Sequence, residues 1–242
     1  DEDRGRCEVT IWMQGCLPTS RAAMPDEGKI SNISLLIFDS YGRILENIYR
    51  QDNKPVNVSL IKDESYSFAA VANFGYKVNV TSVEDLESLR YHLAYPDEYK
   101  EGMPMTSRIV PYRITNNTEI RLELINMMSK ISLRIDRNML SDQVEMNVTG
   151  VRIGNCPKKI SIYKNNKVQS EDECFSLGFS HQGHECSGLN TMKGLGVSKE
   201  VSVYMLENMQ GAFNEGGIEH DNDKILGSLD PRSKTCSYME LD

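Results

Sequence analysis

The sequence predicts an all-β chain with one short helical insertion, arranged as two β-sandwich domains in tandem. Three observations carry this. Short alternating or β-branched apolar runs recur along the whole length, separated by clusters of Gly, Pro, Asn and Asp. Only one segment spaces its leucines as a helix does. At 242 residues the chain has room for two domains of ordinary size.

The elements follow in order. The first run, Cys7-Glu8-Val9-Thr10-Ile11-Trp12-Met13, alternates as a half-buried strand does, and Gly15, Pro18 and Ser20 mark the loop after it. Beyond the turn Pro25-Asp26-Glu27-Gly28, residues 30–39 form an apolar run rich in β-branched side chains and too short for an ordinary helix. Tyr41-Gly42 turns the chain into residues 43–49, and residues 55–61 repeat the period of two, so a strand, turn, strand meander is expected. Residues 66–73 read as a further buried strand, ended by Gly75. The helix is expected over residues 82–93: Ser82 caps it, Glu84 and Asp85 suit its first turn, and Leu86, Leu89 and Leu93 share a face. After the loop with Pro96, Gly102 and Pro104, residues 120–124 alternate again.

A second strand series begins at residues 127–136 and continues through 144–153, 160–163 and 200–205. The expected domains are therefore residues 1–124, which include the first strand, and residues 125–242. Residues 171–197 and 211–233, rich in Gly, Ser and Asn, read as surface loops.

Composition excludes some functions. Apolar residues make up 39% and charged residues 26%, within the globular range. A formal charge of −8 repels a phosphate backbone, and no basic stripe interleaves with aromatics, so nucleic acid is not an expected partner. No apolar run approaches the roughly 20 residues that a membrane helix takes. The chain begins Asp1-Glu2-Asp3 without an initiator Met, which points to removal of an upstream secretory segment.

No catalytic constellation emerges. Gly178-Phe179-Ser180-His181-Gln182-Gly183 misses the spacing of a hydrolase elbow, and Gly194-Leu195-Gly196-Val197-Ser198-Lys199 has its glycines and lysine in the wrong order for a phosphate loop. With no nucleophile, base and orienting group to name, the chain reads as a non-enzyme without a cofactor. Glu219-His220-Asp221-Asn222-Asp223 lacks the pattern of a calcium loop and reads as a solvated acidic loop. Five Asn-x-Ser/Thr triplets, at Asn32, Asn57, Asn79, Asn116 and Asn147, carry no information in a chain so rich in Asn and Ser.

The six cysteines, Cys7, Cys16, Cys156, Cys174, Cys186 and Cys236, are open to two readings, disulfides of an exported protein or buried thiols. Within them Cys174, His181, His184 and Cys186 have the ligand types of a zinc site but the spacing of no standard finger. A Cys174 to Cys186 disulfide closing the loop is the more economical expectation in an oxidising compartment.

The order of these segments resembles the fimbrillin family of Bacteroidales-type (type V) pili. Ser20-Arg21-Ala22-Ala23, Asp26-Glu27, the strand at residues 30–39 and Tyr41-Gly42 resemble the family's opening, and residues 66–73 its Ala-x-x-Asn strand. Gly102-Met103-Pro104-Met105-Thr106 is similar to its Pro-Met-Ser/Thr loop, and residues 122–135 to its domain-joining strand. Tyr204-Met205-Leu206-Glu207-Asn208-Met209-Gln210-Gly211 resembles its Glu-Asn-x-x-Gly signature, and Cys236-Ser237-Tyr238-Met239-Glu240-Leu241 the strand that follows.

The resemblance implies two transthyretin-like, Greek-key sandwiches in an exported lipoprotein of the outer membrane, reaching the bilayer only through an upstream lipid. It implies assembly with other pilin subunits by strand exchange, with a host glycan or protein as a further partner. Arg21-Ala22 matches the processing bond, the strand from Cys7 to Met13 is the removable segment, and Val9, Ile11 and Met13 are its groove-filling positions. Two departures stand out. Family second domains continue beyond the strand that ends near Asp242, leaving a donor or tip segment expected beyond it, and six cysteines are many for a stalk subunit. Stalk, tip and anchor roles all remain open, and the rival from another class is a glycan-binding surface lipoprotein.

Overall fold

The computed structural model describes residues 5–15, 28–96, 98–139, 141, 143–182, 186, 188–190, 196–211 and 230–242. Two compact units result. The first holds residues 1–91, 99–127 and 161–164, and the second residues 92–98, 128–160 and 165–242.

Unit 1 contains β1 (Arg6–Gly15), β2 (Ile33–Phe38), β3 (Ile44–Arg50), β4 (Val56–Ile61), β5 (Ser65–Ala72), the helix α1 (Val83–Ser88), β6 (Arg90–His92, whose last residue falls in unit 2), β7 (Met105–Ser107), β8 (Val110–Arg113) and β9 (Thr118–Asn126). Its main sheet runs β3-β2-β5-β7-β9-β1-β4, with β8 also pairing β5. One apolar cluster collects Leu35 of β2, Phe68 of β5, Leu122 of β9 and Val58 of β4. Because β2 and β4 lie toward opposite ends of the strand order yet share that core, the sheet is curled on itself, as in a β-sandwich.

Two local expectations are corrected here. Strands β2 and β3 do form an antiparallel pair, but β4 does not continue the meander: it lies at the far end of the sheet against β1. Its inward residues Val56, Val58 and Leu60 find their apolar partners in Ile11, Val9 and Cys7 instead. The helix is half the expected length. Ser82 caps it by accepting from the Asp85 backbone N–H at 3.1 Å, as its sequence position predicts. It stops at Ser88, because Leu89 turns extended and its carbonyl accepts from Ile162 N at 3.2 Å. Tyr91 then places its ring 4.6 Å from that of Phe74, so tertiary partners override the leucine spacing.

Unit 2 contains β10 (Met128–Leu133), β11 (Gly150–Gly154), β12 (Cys156–Pro157), β13 (Lys159–Ser161, its last residue in unit 1), β14 (Cys174–Phe175), β15 (Phe179–Gln182), β16 (Val201–Leu206) and β17 (Tyr238–Leu241). Its described ladders are short: β10 with β16, β12 with β14, and β15-β11-β17. The strand expected over residues 144–153 begins only at Gly150. Before it, Val144 and Met146 are exposed rather than alternating with buried neighbours. Residues 171–182, expected as loop, include β14 and β15, and Cys174 is buried there.

Candidate functional site: the groove filled by the first strand

Alternation in β1 sends every second side chain inward. Cys7, Val9, Ile11 and Met13 are 5, 0, 0 and 2% exposed, all within the unit 1 core. On the opposite face Glu8 and Gln14 are exposed and Thr10 and Trp12 half-buried. The strand is interior to the sheet, antiparallel to β4 and parallel to β9. Against β4, Cys7 faces Leu60, Val9 faces Val58 and Ile11 faces Val56. Against β9, Val9 faces Thr118, Ile11 faces Ile120 and Met13 faces Leu122.

The two ladders overlap only from Val9 to Ile11. The first part of β1 pairs with β4 alone, and the part beyond Ile11 with β9 alone. Side chains add a few ties: Glu8 N donates to Asn117 Oδ1 at 2.9 Å and Thr10 Oγ1 to Asn57 Oδ1 at 2.9 Å. The indole Nε1 of Trp12 is buried and finds no acceptor. Such an orphan donor works against the strand's retention.

What the groove requires follows from magnitudes. Full burial of one aliphatic or Met side chain contributes about 1.5–3 kcal/mol, so Val9, Ile11 and Met13 together contribute on the order of 5–9 kcal/mol. A whole domain is stable by only about 5–15 kcal/mol. An emptied groove also leaves the facing edges of β4 and β9 without hydrogen-bond partners. Unit 1 therefore needs an occupant between β4 and β9.

The chain past β1 is fastened separately. Asn73, 8% exposed, has φ of +62°, in the left-handed region that Asn tolerates better than most residues. Its amide is fully used: Nδ2 donates to Lys29 O and Met103 O, both at 2.7 Å, and Oδ1 accepts from Ser31 N at 2.8 Å. Its backbone N donates to Asn32 O at 2.9 Å. Gly102, at φ +148°, admits this: a Cβ there would lie 2.9 Å from Asn73 Nδ2. Asn73 thus ties the entry to β2 to the entry to β7. The Ala-x-x-Asn and Gly-Met-Pro-Met segments noticed in the sequence are the two halves of this clasp.

The sequence-predicted residues divide clearly. Val9, Ile11 and Met13 come together on one face, joined by Cys7, which sequence reasoning left out although the period of two runs through it. Arg21 and Ala22 lie outside the described residues, as do His184 and the side chain of His181. Cys174 and Cys186, the expected disulfide partners, are both buried, in different surroundings. Cys174 sits on β14 beside β12, and burial, with Cys156 and Glu173 nearby, pushes its thiol up to about 11. Cys186 packs instead with Val148, Val151 and Leu189. Among the described residues no group of His, Cys, Asp and Glu could hold a metal ion, and no helix is long and apolar enough to cross a membrane.

No protein-family model and no curated protein matches the chain. Solved structures do. A candidate cell adhesion protein from Bacteroides eggerthii superposes with a TM-score of 0.59 at 16% identity, over 84% of this chain and 70% of that one. A fimbrial assembly protein from Parabacteroides distasonis gives 0.50 at 11%, over 85% and 78%. A fimbrilin from Porphyromonas gingivalis gives 0.50 at 14%, over 82% and 65%. At these identities the likeness is one of fold, and the chain has the fold of these cell adhesion, fimbrial assembly and fimbrilin structures.

Proposed function

We propose that the chain is a non-enzymatic surface subunit of a bacterial pilus or adhesin, which joins other subunits by exchanging β1 for a partner's strand. The observation that carries this is the position of β1. It lies inside the sheet between β4 and β9 rather than beside β2, the next strand along among the described residues. A strand in such a place, paired only with strands distant in sequence, can leave without reordering the ladders among the others, and its groove accepts any extended segment with suitably alternating apolar residues. The Asn73 clasp supports the same reading, because it keeps β2 in place whatever happens before Lys29. Outer-membrane attachment through a lipid upstream of Asp1 belongs to this proposal and rests on the resemblance to fimbrillins.

Treatment with an arginine-specific protease, followed by mass and by assembly state, tests it. Cutting between Arg21 and Ala22, loss of the β1 peptide and growth of oligomers are the expected results. Resistance, or cutting without assembly, would move the chain to an unprocessed anchor or to the glycan-binding class.

A further inference from the structure

The β1 groove has a second possible occupant besides a dedicated donor strand. We infer that an uncut copy of this chain can place its own β1 in the groove of a second copy, giving a strand-swapped dimer without proteolysis. The inference rests on the reading of β1 as an exchangeable strand, and not on cleavage at Arg21-Ala22.

Three observations point to it. First, β1 forms no ladder with the strand that follows it: its partners begin at Val56 and Thr118, so nothing local ties it to its own chain during folding. Pairings so distant in sequence carry a large loop-closure cost whichever copy supplies the strand. Second, the groove accepts another copy's β1 as well as its own, since the contacts are identical, and identical exchange is a low-cost route to dimers. Third, the tether is long. Residues 16–28 separate Gly15 from Lys29, the first residue held by Asn73, and that many residues can span about 40 Å when extended. Whether β1 fills its own groove or a neighbour's then becomes a matter of effective concentration, and the swapped form gains as protein concentration rises.

The register supplies the test. Thr10 and Asn57 face each other across β1 and β4 and are bonded through their side chains at 2.9 Å, on the outer face of the sheet and away from the core. Directly opposed strand residues are within disulfide range. Copies carrying only Thr10→Cys are mixed with copies carrying only Asn57→Cys, refolded together at high concentration and oxidised. Peptide mapping then reports on a bond between positions 10 and 57. The same positions replaced within one chain serve as the control, and light scattering on the wild-type chain is run alongside.

The expected result is a product of doubled mass joined at 10 and 57 between chains. In the wild type, the expected dimer fraction rises severalfold over a tenfold rise in refolding concentration and persists on dilution. A control chain that bonds internally while the mixed single variants stay separate overturns the inference, as does a wild type that remains monomeric at every concentration. Because the protein is never cut, a negative result here leaves the protease experiment to decide the broader reading by itself.

Discussion

The two units keep their interiors in different ways. Unit 1 gathers β1, β2, β4, β5, β7 and β9 around one large apolar cluster, whereas the described part of unit 2 has a small cluster of Val148, Val151, Cys186 and Leu189. Polar pinning of the kind Asn73 gives unit 1 recurs in unit 2. Asn208 accepts from Val168 N at 3.2 Å and donates to Thr235 O at 2.8 Å and Ser237 Oγ at 3.1 Å. Asn155, at φ +53°, donates to Cys236 O at 3.1 Å and accepts from Ser237 Oγ at 2.9 Å. Stability concentrated in one sheet depends on each strand that fills its core, while stability spread over short ladders and side-chain pins rests on no comparable single element.

Breaking that comparison begins at the centre of β1. Ile11→Ala removes a fully buried side chain flanked by strands on both sides, and is expected to destabilise unit 1 by about 2–5 kcal/mol. Denaturant unfolding measures the loss, and a faster reaction of Cys7 with a thiol reagent locates it at β1. An unchanged midpoint would mean that β1 is not integral to the unit 1 core.

Next comes the clasp. Asn73→Ala leaves the backbone groups of Lys29, Ser31 and Met103 without their partner, the last of them buried, and a cost of about 1–3 kcal/mol is expected. Gly102→Ala should act in the same direction, through the close approach to Asn73 and the strained φ. Hydrogen exchange is expected to quicken at β2 and β7 and to leave the β15-β11-β17 ladder unchanged.

In unit 2 the matching experiment is Asn208→Ala. Losing a pin between the end of β16 and the approach to β17 should cost about 1–3 kcal/mol, with faster exchange at β17 and none of the effect at β1. Equal effects in both units would erase the contrast drawn above.

The smallest effect is electrostatic. Hydrogen bonds from Arg232 hold the Asp230 carboxyl down at about 2, from a usual 3.8. A depressed carboxylate stabilises the fold above its unfolded value, so this contribution is complete above about pH 4 and fades as pH falls toward 2. Asp230→Asn should flatten the acid side of the melting-temperature profile slightly, by an amount limited by solvent screening of a partly exposed pair.

Strand positions were readable from the residues wherever one face is buried. The alternation at Cys7, Val9, Ile11 and Met13 names the inward side of β1 directly, and the β-branched run through Ile33 and Ile37 marks a strand buried on both faces. The helix was readable only at its start, since Ser82 acts locally while Leu89 and Tyr91 answer to Ile162 and Phe74. In the clasp, Asn73 and Gly102 were visible as motif letters without a role, because the bond from Asn73 to Met103 O and the close approach of Gly102 cross many residues of chain.

Sequence alone determined which side chains of β1 turn inward, because a strand's period of two is a property of its own backbone. It did not determine what lies beside them. Backbone N–H and C=O groups are nearly the same in every residue, so any two strands with a buried face can pair in many registers. The choice of β4 and β9 for β1 was made by the shared core, where Val9 and Ile11 fill the space between Val58, Val56 and Ile120.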